Sequence, residues 1–485
     1  MKLFMLLKDI DVLSIHGDVH IDIKGITVNS KTVCPGSLFV ALKGIHTDGS
    51  LYINEAVQRG AVAVVTEKLP SVMKNQTTFV LVKDARETAA RLAAAFYDYP
   101  AKSLNLIGIT GTNGKTTVSY LMASILKQAG REPGIIGTIR YQCGEKTLPA
   151  PLTTPDSCEL QRLLRKMKDY GVTDVVMEVS SHALVYKRVW GCVFNAAIFT
   201  NLSRDHLDFH SSMEDYFEAK KQLFVKYLSS KGVAIINRDD KWGKKLITSP
   251  LPRLVTYGLS SQADVFPKDT HLSLDGIETV VYTPAGRLRV KSSLIGKPNL
   301  YNLLAAIAAG VALEIPLPVI KTGLETVTSI CGRLERFKGN GIEVIIDYAH
   351  TPDALEQVLK TLRPFCQGRL ITVFGCGGDR DKGKRPLMGK IASELSDLVI
   401  ITNDNPRSEP SRQIIQDIEM GINKDKAYCI VPDRRQAIAW AIKHAQKGDM
   451  IVIAGKGHED YQIVGDKRYH FSDREEVLKI LKVRS

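Results

Sequence analysis

The stretch Gly111-Thr112-Asn113-Gly114-Lys115-Thr116-Thr117 has the residue types to hold a phosphate chain. Glycines let a backbone curl and approach a ligand closely, a lysine reaches terminal phosphates, and a threonine hydroxyl can meet Mg2+. An apolar run, Leu104 to Ile109, precedes the turn, and Val118 to Gln128 carries apolar residues at helical spacing. Strand, glycine turn and helix together aim backbone N–H groups and a helix N-terminus at an anion. The common phosphate loop has a further glycine where Ile109 stands, so this is a shortened G-x-x-G-K-T-T form. The motif predicts nucleotide binding.

Other residues join it. Glu178 closes the β-rich run Asp174 to Val179, and a carboxylate at a strand end in a phosphate-loop fold suits a second metal contact. Asp205, His206, Asp208 and His210 crowd one loop after the strand Ala196 to Thr200. Two histidines raise zinc, which needs further ligands; the phosphate chemistry nearby points instead to Mg2+ and substrate contacts. The amphipathic helix Met213 to Tyr227 carries Lys220 and Lys221. Near the N-terminus, Asn29-Ser30-Lys31 runs toward a Pro35-Gly36 turn that would expose the Ser30 hydroxyl.

The elements that must position these groups alternate along the chain. At 485 residues the chain exceeds one core, and about three domains are expected. The first, 1–98, has strand signals at Ile26 to Val28, Ser37 to Ala41 and Ala61 to Val65, and helices at Glu55 to Val57 and Glu87 to Tyr97. The second, 99–330, alternates strands and helices, which predicts a mostly parallel α/β sheet around the phosphate loop. The third, 331–485, reads as a Rossmann-like doubly wound sheet with strands Val344 to Asp347, Arg369 to Phe374, Leu398 to Thr402 and Met450 to Ala454. Each of these strands ends in a polar loop, and such loops form the ligand crevice of an open sheet. None completes G-x-G-x-x-G, so no dinucleotide fingerprint is present.

Bulk properties exclude other classes. No apolar run reaches the 18 or so residues of a membrane span, and no signal peptide opens the chain. The eight cysteines are scattered singly without C-x-x-C spacing, which fits a reducing cytoplasm. A formal charge of +13 invites a polyanion. Lys and Arg are nevertheless spread along the chain, with no basic run or aromatic-interleaved patch, so nucleic acid is not indicated.

Taken together, these residues resemble the Mur ligase family, ATP-dependent enzymes that extend the peptidoglycan stem peptide. The resemblance runs in order over essentially the whole chain. It rests on Gly111 to Thr117, Glu178-Val179-Ser180-Ser181-His182, Asp205-His206-Leu207-Asp208, Gly332-Arg333 and Asp347-Tyr348-Ala349-His350. It implies ATP contacts from Gly111, Thr112, Asn113, Gly114, Lys115, Thr116 and Thr117, with Asn302 near the adenine and Arg333 and Asp347 reaching across a domain boundary. It implies Mg2+ on Thr116, Glu178, His206 and a carbamylated Lys220, with Lys115, His206 and Lys220 catalytic. Ser30, Thr153, Thr154, Ser180 and Arg188 match contacts to the UDP-sugar peptide.

Asp404-Asn405-Pro406-Arg407 matches the loop associated with meso-2,6-diaminopimelate, and Arg380, Gly455 and Glu459 match further contacts to it. The implied reaction, via an acyl phosphate, adds that amino acid to UDP-N-acetylmuramoyl-L-alanyl-D-glutamate, by a cytoplasmic monomer. Addition of L-lysine and a folylpolyglutamate-synthetase-like ligation are the alternatives. Arg407 offers a planar fork for a carboxylate; its bland alternative is a surface pair with Glu409. The chain departs from the family pattern at Asn29 and Lys31, usually Asp and Arg, and at Leu152, usually Asn.

Overall fold

The computed structural model describes residues 1–44, 47–73 and 76–482. Apolar strands separated by amphipathic helices build parallel sheets, because a parallel neighbour is reached only through a crossover. The first sheet has five strands, ordered Val12–His16, Thr78–Val82, Ala61–Thr66, Ser37–Val40 and Gly25–Thr27. All pairs are parallel except the first, an antiparallel edge that the sequence does not mark.

The central sheet has eight strands, ordered Leu254–Tyr257, Leu228–Asn237, Phe194–Phe199, Asn105–Thr110, Asp174–Glu178, Pro133–Ile136, Arg140–Cys143 and Lys146–Pro149. Its first six are parallel and its last two form an antiparallel meander. The phosphate-loop strand Asn105–Thr110 lies between Phe194–Phe199 and Asp174–Glu178, so the candidate loops leave one end of three adjacent strands. On one face the helices Lys115–Gln128 and Lys297–Ala312 bury Val118, Leu121, Ile125, Leu304 and Ile307.

A three-stranded antiparallel sheet, Phe266–Ser273, Gly276–Thr283 and Gly286–Ser292, interrupts the alternation expected for the middle of the chain. Its strands bury one side only, so their polar alternation does not resemble the apolar runs of a parallel sheet.

The last large sheet has six strands, ordered Glu335–Gly339, Ile342–Asp347, Met450–Ala454, Leu370–Phe374, Leu398–Ile401 and Ala427–Ile430. Its four expected strands are present and parallel; Glu335–Gly339 adds an antiparallel edge. A hairpin, Tyr461–Val464 with Lys467–His470, stands apart from it.

Beneath the end of Met450–Ala454 lies a fully buried ion pair. Arg434 meets Asp473 through two hydrogen bonds of 2.8 Å and donates a third to the Ala454 carbonyl. Removing one member of a buried pair strands the other charge, at about 3–5 kcal/mol. Arg434→Met should therefore lower unfolding stability by about that amount, and Arg434→Met with Asp473→Leu by less. Urea unfolding of the native chain and the two variants checks this; equal stability of single and double variants contradicts it.

Candidate active site

The phosphate loop leaves Thr110 and enters the helix at Gly114, whose backbone is left-handed and gives the helix no side-chain cap. Its first-turn N–H groups therefore remain available to an anion. A side chain at Gly111, where φ is 146°, would collide with Thr200 Oγ1. The loop is clamped from the neighbouring strand: Thr112 N donates to Asn201 O at 2.8 Å, Asn113 N to Asn201 Oδ1 at 2.9 Å, and Thr200 Oγ1 to Asn113 O at 2.6 Å. Asn302 presses its side-chain oxygen against Gly114.

Two lysines share one acceptor. Lys115 Nζ donates to Gly111 O at 3.0 Å and Thr112 O at 2.8 Å, and Lys220 Nζ donates to the same Gly111 O at 2.8 Å. Lys220 is buried, its ammonium sits 4.5 Å over the Tyr216 ring, and among the described residues no carboxylate is paired with it. Burial, and then the Lys115 charge beside it, hold its pKa well below the ordinary lysine value. Burial also lowers that of Lys115, against the pull of Glu178 and Asp205. Lys221, one residue on, faces outward to Glu218 at 3.1 Å.

Glu178 is 1% exposed and takes three donors: Thr116 Oγ1 at 3.0 Å, Thr138 N at 2.9 Å and Thr138 Oγ1 at 2.9 Å. Arg333 reaches across 217 residues to donate to Thr116 Oγ1 at 3.1 Å. Asp347 accepts from the N–H groups of Leu334 and Ala349, each at 2.8 Å, and so fixes the turn that carries Arg333. Burial raises the Asp347 pKa, and the Arg333 charge opposes the rise. His206 stands at the loop edge with φ 53°, its ring 3.5 Å from Asp205 and in edge contact with His182.

Beside Glu178 the candidate sugar-peptide residues converge. Thr154 Oγ1 donates to Glu178 O at 2.8 Å and lies 3.3 Å from Ser180 Oγ; Arg188 donates to Thr154 O at 2.9 Å; Thr153 and Thr138 hydroxyls meet at 3.1 Å. Ser30 does not join them by any hydrogen bond among the described residues. Contrary to the exposure expected from its turn, Ser30 is buried and donates to Glu55 at 3.0 Å. The Asn29 side chain accepts from Lys31 N and winds the segment into a short 3-10 turn that carries the hydroxyl inward.

A second cluster forms where the last sheet's loops meet the hairpin. Asn405 Nδ2 donates to Glu459 Oε2 at 2.9 Å, Ile463 N donates to Asn405 Oδ1 at 3.0 Å, and Gln462 reaches Asp404 O at 2.6 Å. Gly455, at φ 113°, leaves room for Asp404 Oδ2, which a β-carbon would approach to 2.7 Å. Pro406 follows Asn405 into the turn, where its carbonyl packs against Gly378. Arg407 has φ 53°, uncommon for a bulky residue, and donates to Gly378 O at 2.8 Å. It makes no ion pair among the described residues. Glu409 is not its partner: Arg385 holds Glu409 at 2.9 Å and 3.0 Å, with Lys382 at 3.4 Å. Arg380 is exposed and bonds the Asp379 carbonyl at 3.0 Å.

Comparison with known proteins places this geometry. The family model described as "Mur ligase middle domain" matches residues 109–310, "Mur ligase, glutamate ligase domain" matches 332–457, and "Mur ligase family, catalytic domain" matches 22–97. A UDP-N-acetylmuramoyl-L-alanyl-D-glutamate–2,6-diaminopimelate ligase of Geobacter metallireducens is 48% identical, covering 95% of this chain and 94% of that protein. The chain belongs to the Mur ligase family. The like-named ligase of Gloeobacter violaceus is 47% identical over 96% of this chain and 95% of that protein. A solved structure titled as such a ligase superposes with TM-score 0.67 at 34% identity, over 99% of each chain.

In this Mur ligase, three residues without an assignment from sequence bind the site together. Thr138 gives two donors to Glu178, and its only sequence signal is its place in the polar turn after an apolar strand. Asn201 clamps the phosphate loop, and Lys456 is buried within the second cluster.

Buried histidines give the site a pH signature. Burial lowers His182 and His350 to about 4 and His458 to about 3, from an ordinary 6.5. Between pH 6.5 and about 4 the unfolded chain binds these protons and the folded chain does not, so stability falls as pH falls through that window. Thermal melts at pH 7, 6 and 5 should show this decline, and His350→Gln should flatten it; an unchanged slope in that variant removes His350 from the account.

Proposed function

We propose that this chain is an ATP-dependent amide ligase that adds meso-2,6-diaminopimelate to UDP-N-acetylmuramoyl-L-alanyl-D-glutamate in the cytoplasm, acting as a monomer. The observation that carries the reading is the pairing of two clusters, a phosphate loop facing a buried carboxylate and a proline-stiffened loop whose guanidinium makes no ion pair among the described residues. The 1–98 unit takes the UDP moiety with Ser30, 99–330 takes ATP, and 331–485, whose last three residues lie outside the described ones, takes the amino acid.

A carboxylate is a poor acylating agent because its oxygen is a poor leaving group. Its oxygen attacks the γ-phosphorus, the bond to ADP breaks, and an acyl phosphate forms. The amine then attacks the acyl carbon, phosphate leaves, and the amine nitrogen loses a proton. The protein supplies alignment and charge neutralisation. Gly111 to Thr117 hold the phosphates by backbone N–H groups, Lys115 faces the γ-phosphate, and Asn302 borders the nucleotide. Arg333 and Asp347 bring the third unit onto ATP. Thr153, Thr154, Ser180 and Arg188 hold the sugar peptide beside Glu178.

The hard oxygen donors Thr116 Oγ1 and Glu178, buried beside a loop open to phosphate, suit Mg2+, which takes few protein ligands and completes its shell with phosphate and water. No group of three or more His, Cys, Asp or Glu side chains is gathered for a metal among the described residues, and such a site does not require one. Thr116, Glu178, His206 and Lys220 would hold the ion, which when bound spreads the charge of the transferring phosphoryl group. Lys220 enters that set as a carbamate. Its depressed pKa favours the free amine; once the ammonium has lost a proton, the neutral nitrogen attacks CO2 to form an N–C bond and releases a second proton, so a buried cation ends as an anion.

Neighbouring lysines separate this role from mere charge. Lys220→Ala should lose ligation and recover part of it with added short carboxylates, whereas Lys221→Ala stays active; the reverse pattern refutes the assignment.

At the other cluster, Arg407 would fork the distal carboxylate of diaminopimelate and Glu459 its distal ammonium, with Arg380, Asp404, Asn405, Pro406 and Gly455 shaping the pocket. ADP release with diaminopimelate, with L-lysine and with a folate tests the reading directly. Arg407→Ala should raise KM for diaminopimelate tenfold or more, about 2–5 kcal/mol for a truncated charge pair, and leave KM for ATP unchanged. Preference of the native enzyme for lysine or a folate overturns the specificity.

A further inference from the structure

Lys456 has no exposed surface, and its ammonium is enclosed by the groups of the second cluster. It donates to Glu459 Oε2 at 3.1 Å and Asn405 Oδ1 at 3.2 Å, and it lies 3.9 Å from Asp404 Oδ1. Asn405 closes the triangle by donating to the same Glu459 Oε2 at 2.9 Å. One carboxylate oxygen of Glu459 therefore carries both internal bonds, and Oε1 is left for another donor.

The charges here can be counted. Asp404 and Glu459 bring two negatives, Lys456 and Arg407 two positives, and the cluster is neutral. The flanking charges are either paired, Arg434 with Asp473 and Arg468 with Asp460, or exposed at the rim and screened by solvent, as Arg380 is, so the count is that of the inner cluster. A neutral buried site suits a ligand end that is itself neutral overall, one ammonium and one carboxylate. Without Lys456 the site carries one net negative charge, which favours an end bearing an ammonium alone. Charge mismatch in a desolvated site acts mainly on specificity, by penalising the wrong ligand.

We infer that Lys456 is a specificity-determining residue: it holds Glu459 in place and balances the cluster for an amino acid whose far end is zwitterionic, against one whose far end is only cationic. The inference rests on the reading that the Asp404–Arg407 and Gly455–Glu459 loops hold the amino acid. Lys456 contacts no reacting atom in this account and acts through Glu459 and Asn405.

The test is competition. Purified enzyme is given ATP, the UDP-sugar dipeptide and equal concentrations of meso-diaminopimelate and L-lysine, and the two products are quantified by mass spectrometry. Lys456→Met should lower the diaminopimelate-to-lysine product ratio at least tenfold while KM for ATP stays unchanged, and Lys456→Arg, which keeps the charge, should retain more of the native ratio. An unchanged ratio in a folded Lys456→Met overturns the inference. Should that variant fail to fold, Lys456→Met is made in Glu459→Gln, where no carboxylate of the pair is stranded, and the ratio must fall relative to Glu459→Gln alone. Glu459→Gln also separates the two ideas. If it leaves KM for diaminopimelate unchanged, the site reading fails; if it raises KM while Lys456→Met leaves the ratio alone, only the role of Lys456 fails.

Discussion

The arrangement depends on one carboxylate, Glu178, buried where water does not reach. An isolated buried charge is costly, and its cost falls only when donors are supplied by the protein. Glu178 gets them from the phosphate-loop helix through Thr116 and from the turn after Pro133–Ile136 through Thr138. Because Thr116 in turn receives Arg333, the same carboxylate registers a residue from the far side of the chain. Three elements distant in sequence are therefore tied together through one acid, and each bears on the phosphate loop.

The lysines follow the opposite rule. Two ammonium groups converge on the Gly111 carbonyl, and among the described residues no carboxylate is paired with Lys220. Such a contact is tolerable when one amine gives up its proton, and burial favours the loss. The local electrostatics thus favour the neutral amine of buried Lys220, the form that the proposed reaction with CO2 requires.

How much of this the sequence discloses depends on how local each contact is. The phosphate loop is legible because strand, glycines, lysine and helix are contiguous, and the strands of the last sheet are legible because both their faces are buried. Glu178 is legible as an acid closing an apolar run. Its donor Thr138 is not, since the bond spans 40 residues and a lone threonine in a turn has no pattern. The three-stranded sheet is missed because it buries a single face. The inward turn of Ser30 follows from one Asn29 side-chain bond that competes with the expected open turn. Lys456 lies in a visible Gly-Lys-Gly loop, but nothing in that spacing says the ammonium is enclosed.

The hairpin Tyr461–Val464 with Lys467–His470 holds Arg407 through two main-chain bonds, Arg407 N to Ile463 O and Gly465 N to Arg407 O. Bonds of this kind survive exchange of the side chains around them. The phosphate loop, by contrast, has one main-chain bond, Thr112 N to Asn201 O, and is otherwise clamped by the side chains of Thr200 and Asn201. Side chains around Arg407 could therefore be exchanged without unmaking the support of its backbone, whereas exchange of Thr200 or Asn201 would loosen the phosphate loop itself.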